Sequence, residues 1–171
     1  MIFAGPELLT SEHVLAGFDC GTPALNGWLL RRALGNQSSG TSRTWVVTET
    51  GRVVAFYASS TASVIRSSAP KPFGRDQPDE IPAILLGRMA VDSKHQGHGL
   101  GAALLKHFML KAMQVSVSVG VRLLLVHAKD EDAKRFYEHY GFVASPIDPL
   151  TMMMRVHPAS AEAAWYHDLC G

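Results

Sequence analysis

Cysteine is nearly absent from this 171-residue chain: Cys20 and Cys170 are the two present. Two cysteines make no disulfide framework, neither has a CxxC partner, and a reducing, cytoplasmic setting is expected. No stretch approaches the ~18 consecutive apolar residues that cross a bilayer, so no membrane span is expected. The opening MIFAGPELLTSEH lacks both a basic n-region and an apolar core, so it does not read as a secretory leader. The eight histidines are scattered without metal-ligand spacing, and no bound metal is expected. Repeats and low-complexity tracts are missing too. With 47% apolar and 18% charged residues, the chain reads as one domain over 1–171, with a tail from about 157 through EAAWYHDLCG.

Acid is missing from two long stretches. Cys20 to Thr48 holds three arginines and no Asp or Glu; Ser93 to Lys129 holds five Lys or Arg, four His and no acid. The acids gather instead at Asp76–Glu80 and Asp130–Asp132. Such segregation can give a near-neutral protein (net charge +1) a positive face suited to a phosphate-bearing ligand; scattering of the same residues on folding is the alternative.

GTPALNGWLLRRALG predicts a first helix, with Thr22 as N-cap, Pro23 at its first position and Gly35 beyond its end. RTWVVTETGRVVAFYASS predicts a hairpin around Thr50-Gly51. Residues 66–82, with four prolines, predict a loop, and AILLGRMAVD a strand too apolar to face water on both sides. A helix follows from about Gly99 to Ser118. Its apolar arc is Gly101, Leu104, Leu105, Phe108, Met109, Ala112 and Val115; Lys106, His107, Lys111, Gln114 and Ser118 fall opposite. VRLLLVHA predicts a buried strand, DEDAKRFYEHYG a short helix capped by Asp130, and TMMMRV a last strand. Helices on a mixed central sheet make this an α/β (α+β) fold.

Three glycines, Gly97, Gly99 and Gly101, stand where the strand hands over to the long helix. Helix N-termini offer unpaired N–H groups and a partial positive charge, so such a loop suits phosphate. A GxxxxGK[ST] loop is absent, because no lysine follows the last glycine. Gly97-x-Gly99-x-x-Ala102 matches a dinucleotide fingerprint, but the acid that should hold the ribose is missing: none occurs between Gly101 and Lys129. A third pattern, Gln96-x-x-Gly99-x-Gly101, resembles the acetyl-CoA loop of the GNAT N-acetyltransferases. The following LLLVHA strand and AKRFYEHYGF helix stand in that family's order, and the resemblance covers about residues 18–156.

The resemblance implies the GNAT acyltransferase fold and acetyl-CoA as co-substrate. It implies that backbone groups of Met89 and Val91 pair with the pantetheine arm. The amides of Gln96, Gly97, His98, Gly99, Leu100, Gly101 and Ala102 would cradle the pyrophosphate, a Cβ at 97, 99 or 101 obstructing phosphate or packing. Helix-dipole attraction supplies only about 0.3–1 kcal/mol, up to ~2 when partly buried, so hydrogen bonds must supply the rest. The resemblance also implies that, in the FYEHYGF helix, Phe136 belongs to the cofactor site and the Tyr137 hydroxyl lies near the thioester sulfur. Packing on the sheet is the alternative for Tyr137, since Ala133, Phe136, Tyr137 and Tyr140 share core spacing.

No residue stands out as a general base. Glu80, Asp79 and His127 are possible bases, each more readily read as a solvated loop residue or a strand-end side chain. An α-amine of pKa ~7.7–8.0 loses its proton at neutral pH for under ~1 kcal/mol, whereas a lysine amine costs about 4. An α-amino acceptor therefore fits a site without a dedicated base. FDCGTPALNGWL, SRTWVV, IPAILLGRMAVD and VHAKDEDAKRFYEHYGF further resemble the GNAT toxins of bacterial type II toxin–antitoxin pairs, the TacT type. That resemblance implies acetylation of the α-amine of aminoacyl-tRNA, a block on translation, a ribbon-helix-helix antitoxin that alone meets DNA, and a homodimer. Arg31, Arg32, Arg75 and Arg88 are the candidate tRNA-phosphate contacts; an unpaired guanidinium is unusual in a strand as apolar as that around Arg88. An acetyltransferase for small amines or protein N-termini, and a non-catalytic CoA- or partner-binding module, are the other readings.

Overall fold

Among the described residues, seven strands form one mixed sheet in the order β1-β2-β3-β4-β5-β7-β6. The computed structural model describes residues 1–156, and the tail expected from about 157 lies outside the described residues. Two units organise the chain, one of residues 1–60 with 87–108, the other of 61–86 with 109 onward.

In the first unit β1 (Ala4–Leu8), β2 (Arg43–Glu49) and the start of β3 (Arg52–Ile65) run antiparallel. The hairpin turns at Thr50 (φ 50°) and Gly51 (φ 79°), two positive angles that match the twist of its strands, as TETG predicts. Strand β1 was not legible, because Gly5-Pro6 reads as a breaker and the strand is mostly exposed. Trp28, Leu29, Ala33, Val46, Phe56 and Ala90 build this unit's core, with Trp28 stacked on Phe56.

The first helix departs from expectation. It is α1 (Pro23–Arg31), broken at Arg32 (φ −121°), followed by α2 (Ala33–Ser38). Pro23 and Thr22 stand as predicted, the Thr22 carbonyl accepting from Leu25 and Asn26. Gly35 does not end it. Gln37 bonds the Leu9 carbonyl (2.7 Å) and the Thr44 amide (3.0 Å), which holds the extra turn, and Gly40 (φ 82°) follows its end.

In the second unit β4 (Glu80–Val91) pairs in parallel with β5 (Leu123–His127) through Ala83–Leu86. Strand β7 (Thr151–Arg155) runs antiparallel to β5 and to β6 (Val143–Ala144). The proline-rich segment is not all loop: it holds a 3-10 turn at Arg66–Ser68 and α3 (Lys71–Gly74), and β4 already starts at Glu80. Pro82 is tolerated near that start, where its carbonyl accepts the Arg122 amide. Val64, Ile81, Leu123, Leu125 and Met153 form this unit's core. Strand β4 is shielded only in part: Ile81, Ala83, Ile84, Leu86 and Ala90 are buried, while Gly87 and Arg88 are exposed.

Helix α4 (Leu100–Ser116) follows the predicted span. Leu104, Leu105, Phe108, Met109 and Ala112 are buried as expected, but Met113 joins them while Val115, in the last turn, is 44% exposed. His107, assigned to the polar face, instead lies 2.7 Å from the Tyr57 hydroxyl and against Trp45. A phenol buried as completely as Tyr57 needs a hydrogen-bond partner, and His107 meets that need.

Candidate active site

In the first unit β4 ends at Val91, and Asp92 then turns the chain. Its carboxylate is buried and accepts from the amides of Asp19 (3.0 Å) and Lys94 (3.0 Å), with His95 Nδ1 at 3.2 Å. Its own amide donates to the Val54 carbonyl at 2.8 Å. Burial by itself would raise the Asp92 carboxyl; the amides of Asp19 and Lys94, with His95, outweigh it and hold the group below the usual carboxylate range. Glu49 fixes the far side of the His95 ring, 3.3 Å from Nε2. Asp92 therefore roots the loop that follows. Sequence reasoning missed it because its first partner, Asp19, is 73 residues away.

Replacing Asp92 by asparagine turns one acceptor oxygen into a donor facing these amides. We expect a loss of about 1–3 kcal/mol in denaturant unfolding and a raised KM for acetyl-CoA. Unchanged values for both would remove Asp92 as the root of the loop.

Beyond a 3-10 turn (Ser93–His95), Gly97 (φ 82°) and Gly99 (φ 77°) take left-handed conformations. Beyond its chain neighbours, a Cβ on either meets no atom of the described residues within 4 Å. Packing, offered above as one reason for these two glycines, is thus not their reason; the backbone angle is. Gly101 lies in the first turn of α4, and buried Leu100 anchors that turn. The bond from the Ala103 amide to the Gly99 carbonyl (3.0 Å) opens the helix. The amides of residues 99–102 precede that first bond and have no partner within the helix, and they stand at the positive end of a 17-residue helix. Gln96 and His98 are exposed around them. Met89 and Val91, two apart and so on one face of β4, are half-buried; Gln96 Nε2 donates to the Val91 carbonyl at 3.4 Å.

The second unit carries the tyrosine helix, α5 (Glu131–His139). The Asp130 side chain caps it by accepting from the Ala133 amide (2.8 Å), and Gly141 (φ 97°) follows its end. Tyr137 is buried, edge-on to Phe136 (5.3 Å) and Phe142 (5.6 Å); Phe136 also meets Tyr140 (5.2 Å). Burial pushes the Tyr137 hydroxyl up to about 12. Such a phenol stays protonated near neutral pH and acts as a donor. Handing its proton fully to a thiolate of pKa about 8.5 is uphill by roughly 5 kcal/mol. What it can give a departing thiolate is a hydrogen bond.

Arg31 and Arg32 are exposed at the α1–α2 junction, with the Arg31 guanidinium folded over Gly27, where a Cβ would collide with it. Arg88 is not a buried, unpaired charge: it is exposed, its guanidinium 4.4 Å above the Trp28 ring. Arg75 sits with Arg66 and Lys71 around an open cleft of about 710 Å³ in the second unit. Arg66 is paired with Asp79 (2.9 Å). Sequence reading named only Arg75 because the turns that gather this trio were read as loop. Of the candidate bases, Asp79 is thereby committed, Glu80 is exposed at the start of β4, and His127 ends β5 against Thr151.

The acetyltransferase (GNAT) domain family matches residues 40–144. Over 159 residues the chain is 41% identical to a tRNA-acetylating toxin of Mycobacterium tuberculosis, an alignment covering 93% of this chain and 96% of that protein. Among solved structures, AtaT complexed with acetyl-methionyl-tRNAfMet matches with a TM-score of 0.83 at 29% identity, over 93% of this chain and 97% of that one. A tyrosine-to-phenylalanine mutant of AtaT, bound to the C-terminus of the antitoxin AtaR and acetyl-CoA, matches with a TM-score of 0.76 at 27% identity, over 93% and 96%. With a glycine turn opening its long helix and a buried tyrosine on the next, the chain belongs to the GNAT acetyltransferase family.

Proposed function

We propose that this chain transfers the acetyl group of acetyl-CoA to the α-amino group of aminoacyl-tRNA, blocking translation, and that a cognate antitoxin neutralises it. The observation that carries this reading is the 41% identity, over 93% of the chain, to a protein named for acetylating tRNA. Its setting is the cytoplasm, where charged tRNA is found; among the described residues no helix is long and apolar enough to cross a membrane. The chain acts as a homodimer, and a ribbon-helix-helix antitoxin both restrains it and contacts DNA.

The site's own chemistry supports the proposal. In this reading the amides around Gly97, Gly99 and Gly101 hold the diphosphate, and backbone groups of Met89 and Val91 align the pantetheine arm. Phe136 flanks the cofactor and Tyr137 donates a hydrogen bond to the departing sulfur. Attack needs a neutral amine, and the α-amine of an esterified amino acid supplies it near neutral pH.

Arg31, Arg32, Arg75 and Arg88 serve the phosphates of the tRNA, joined at the 710 Å³ cleft by Lys71. Each cation that neutralises a phosphate adds about one to the slope of log affinity against log salt. Lys71→Ala with Arg75→Ala is expected to flatten that slope by about two, with acetyl-CoA binding unaltered. An unchanged slope in filter binding removes this cleft from the RNA surface. The proposal as a whole is tested in a cell-free translation extract. Protein synthesis should stop only when the chain and acetyl-CoA are both added, and synthesis that continues would count against it.

A further inference from the structure

We propose that His127 accepts the proton of the attacking amine, oriented for that task by Thr151 and Asp148 at an open cleft. The inference rests on the acetyl-transfer reading above and adds a proton acceptor to it.

The cleft, of about 330 Å³, lies in the second unit between the end of β3, strands β5 and β7, and the turn at 145–148. Among the residues lining it, His127 and Asp148 are the two that ionise. His127 is the exposed last residue of β5, directly opposite Thr151 on β7. Its Nδ1 lies 3.1 Å from the Thr151 hydroxyl, which donates to Asp148 Oδ2 at 2.7 Å. A hydroxyl has one proton to give, and here the carboxylate takes it. Thr151 can then only accept from His127, which puts the imidazole proton on Nδ1. In the neutral ring the lone pair is left on Nε2.

The far end of the chain is fixed as well. The Leu150 amide donates to Asp148 Oδ1 at 3.2 Å, and the Thr151 amide to the Asp148 carbonyl at 3.1 Å. The Thr151 hydroxyl and then the Leu150 amide hold this carboxyl below its usual range, so Asp148 remains an acceptor in mildly acidic solution. Apolar walls from Ile65, Leu125, Ile147 and Met153 suit the side chain of an aminoacyl group.

The position also avoids interference with Tyr137. Leu125 and His127 share one face of the β5–β7 pair with Met153 and Thr151, since opposed residues point the same way. Gly141, just past α5, abuts Met154, which points to the other face; a Cβ at Gly141 would come within 2.9 Å of that methionine. The phenol's helix and the imidazole thus occupy opposite faces of one strand pair.

The reaction gives this imidazole work even though a neutral α-amine needs no base to attack. As the nitrogen lone pair forms the new bond to the thioester carbon, that nitrogen becomes ammonium-like and must lose a proton. The proton passes to His127 Nε2 while the C–S bond breaks and its electron pair leaves on sulfur. Water protonates the thiolate and later takes the proton from His127.

Steady-state transfer to charged tRNA, measured from pH 5.5 to 9, tests the proposal. His127→Ala and His127→Gln should each lower kcat about 100-fold at an unchanged KM for acetyl-CoA. Both should alter the pH profile of kcat, and added imidazole should restore His127→Ala. Asp148→Asn should lower kcat about ten-fold at an unchanged KM for acetyl-CoA. The proposal is overturned if both His127 variants keep kcat within two-fold, or if they lose activity with an unmoved pH profile and no imidazole rescue. Failure of the functional reading looks different. A wild type that ignores charged tRNA but acetylates an amino-acid ester refutes tRNA as substrate, and the same His127 comparison then runs on the ester.

Discussion

Replacing Tyr137 by phenylalanine should lower kcat for acetyl transfer by about 10²–10³-fold, the effect of removing one well-placed donor from a developing anion. The ring contacts to Phe136 and Phe142 survive the substitution, so fold and KM for acetyl-CoA should change little. The pH behaviour separates this role from packing. A hydroxyl pushed up to about 12 adds no alkaline limb to the rate below pH ~11. It does affect stability. The folded-state value is raised, while in the unfolded chain the phenol ionises near 10, so the folded state keeps a proton that the unfolded state loses. The stabilisation is full below pH 10 and is lost between about pH 10 and 12, at about 1.4 kcal/mol per pH unit. Tyr57, raised by burial in the same direction, adds a loss of the same sign. Tyr137→Phe should remove one tyrosine's share of that alkaline slope in denaturant titrations. A variant with wild-type kcat would reduce Tyr137 to an aromatic that packs.

Gly99→Val should raise the KM for acetyl-CoA by at least ten- to 100-fold, with a modest loss of stability. At φ 77° a β-branched residue is strained by about 1–3 kcal/mol, and the loop relieves that strain by rotating its amides away. Beyond the two chain neighbours, no described residue lies within 4 Å of the added Cβ, so collision with the core is not the cause. Ligand affinity is what should fall, each ten-fold being worth about 1.4 kcal/mol. Isothermal titration with CoA, beside a thermal melt, distinguishes the two. Full affinity in a folded Gly99→Val protein would show that the turn's left-handed angle is not what the cofactor reads.

Local signals were legible in the sequence and long-range ones were not. Thr50-Gly51 specified its turn, Asp130 its cap and the 100–116 periodicity its helix, because each depends on residues within one or two turns of the chain. The glycine loop was legible because positive φ selects glycine directly. Strand β1 was missed because Gly5-Pro6 argues locally against a strand, and only pairing with β2 overrides it. Arg88 was read as buried because strand composition does not say which residues of β4 are covered; Trp28, sixty positions earlier, supplies its partner. Tyr57 with His107, and Asp92 with Asp19, are likewise joined only by the fold. His127 carried no signal beyond its type, since its orientation depends on Thr151 across the β5–β7 ladder.

The most direct test incubates the purified chain with acetyl-CoA labelled on its acetyl group and with tRNA carrying an amino acid. Mild alkali then cleaves the ester. Label should be recovered as N-acetyl amino acid, should be absent when the tRNA is uncharged, and should fall at least 100-fold with Tyr137→Phe. Label on the RNA itself, or none on the released amino acid while CoA is still consumed, would contradict the account.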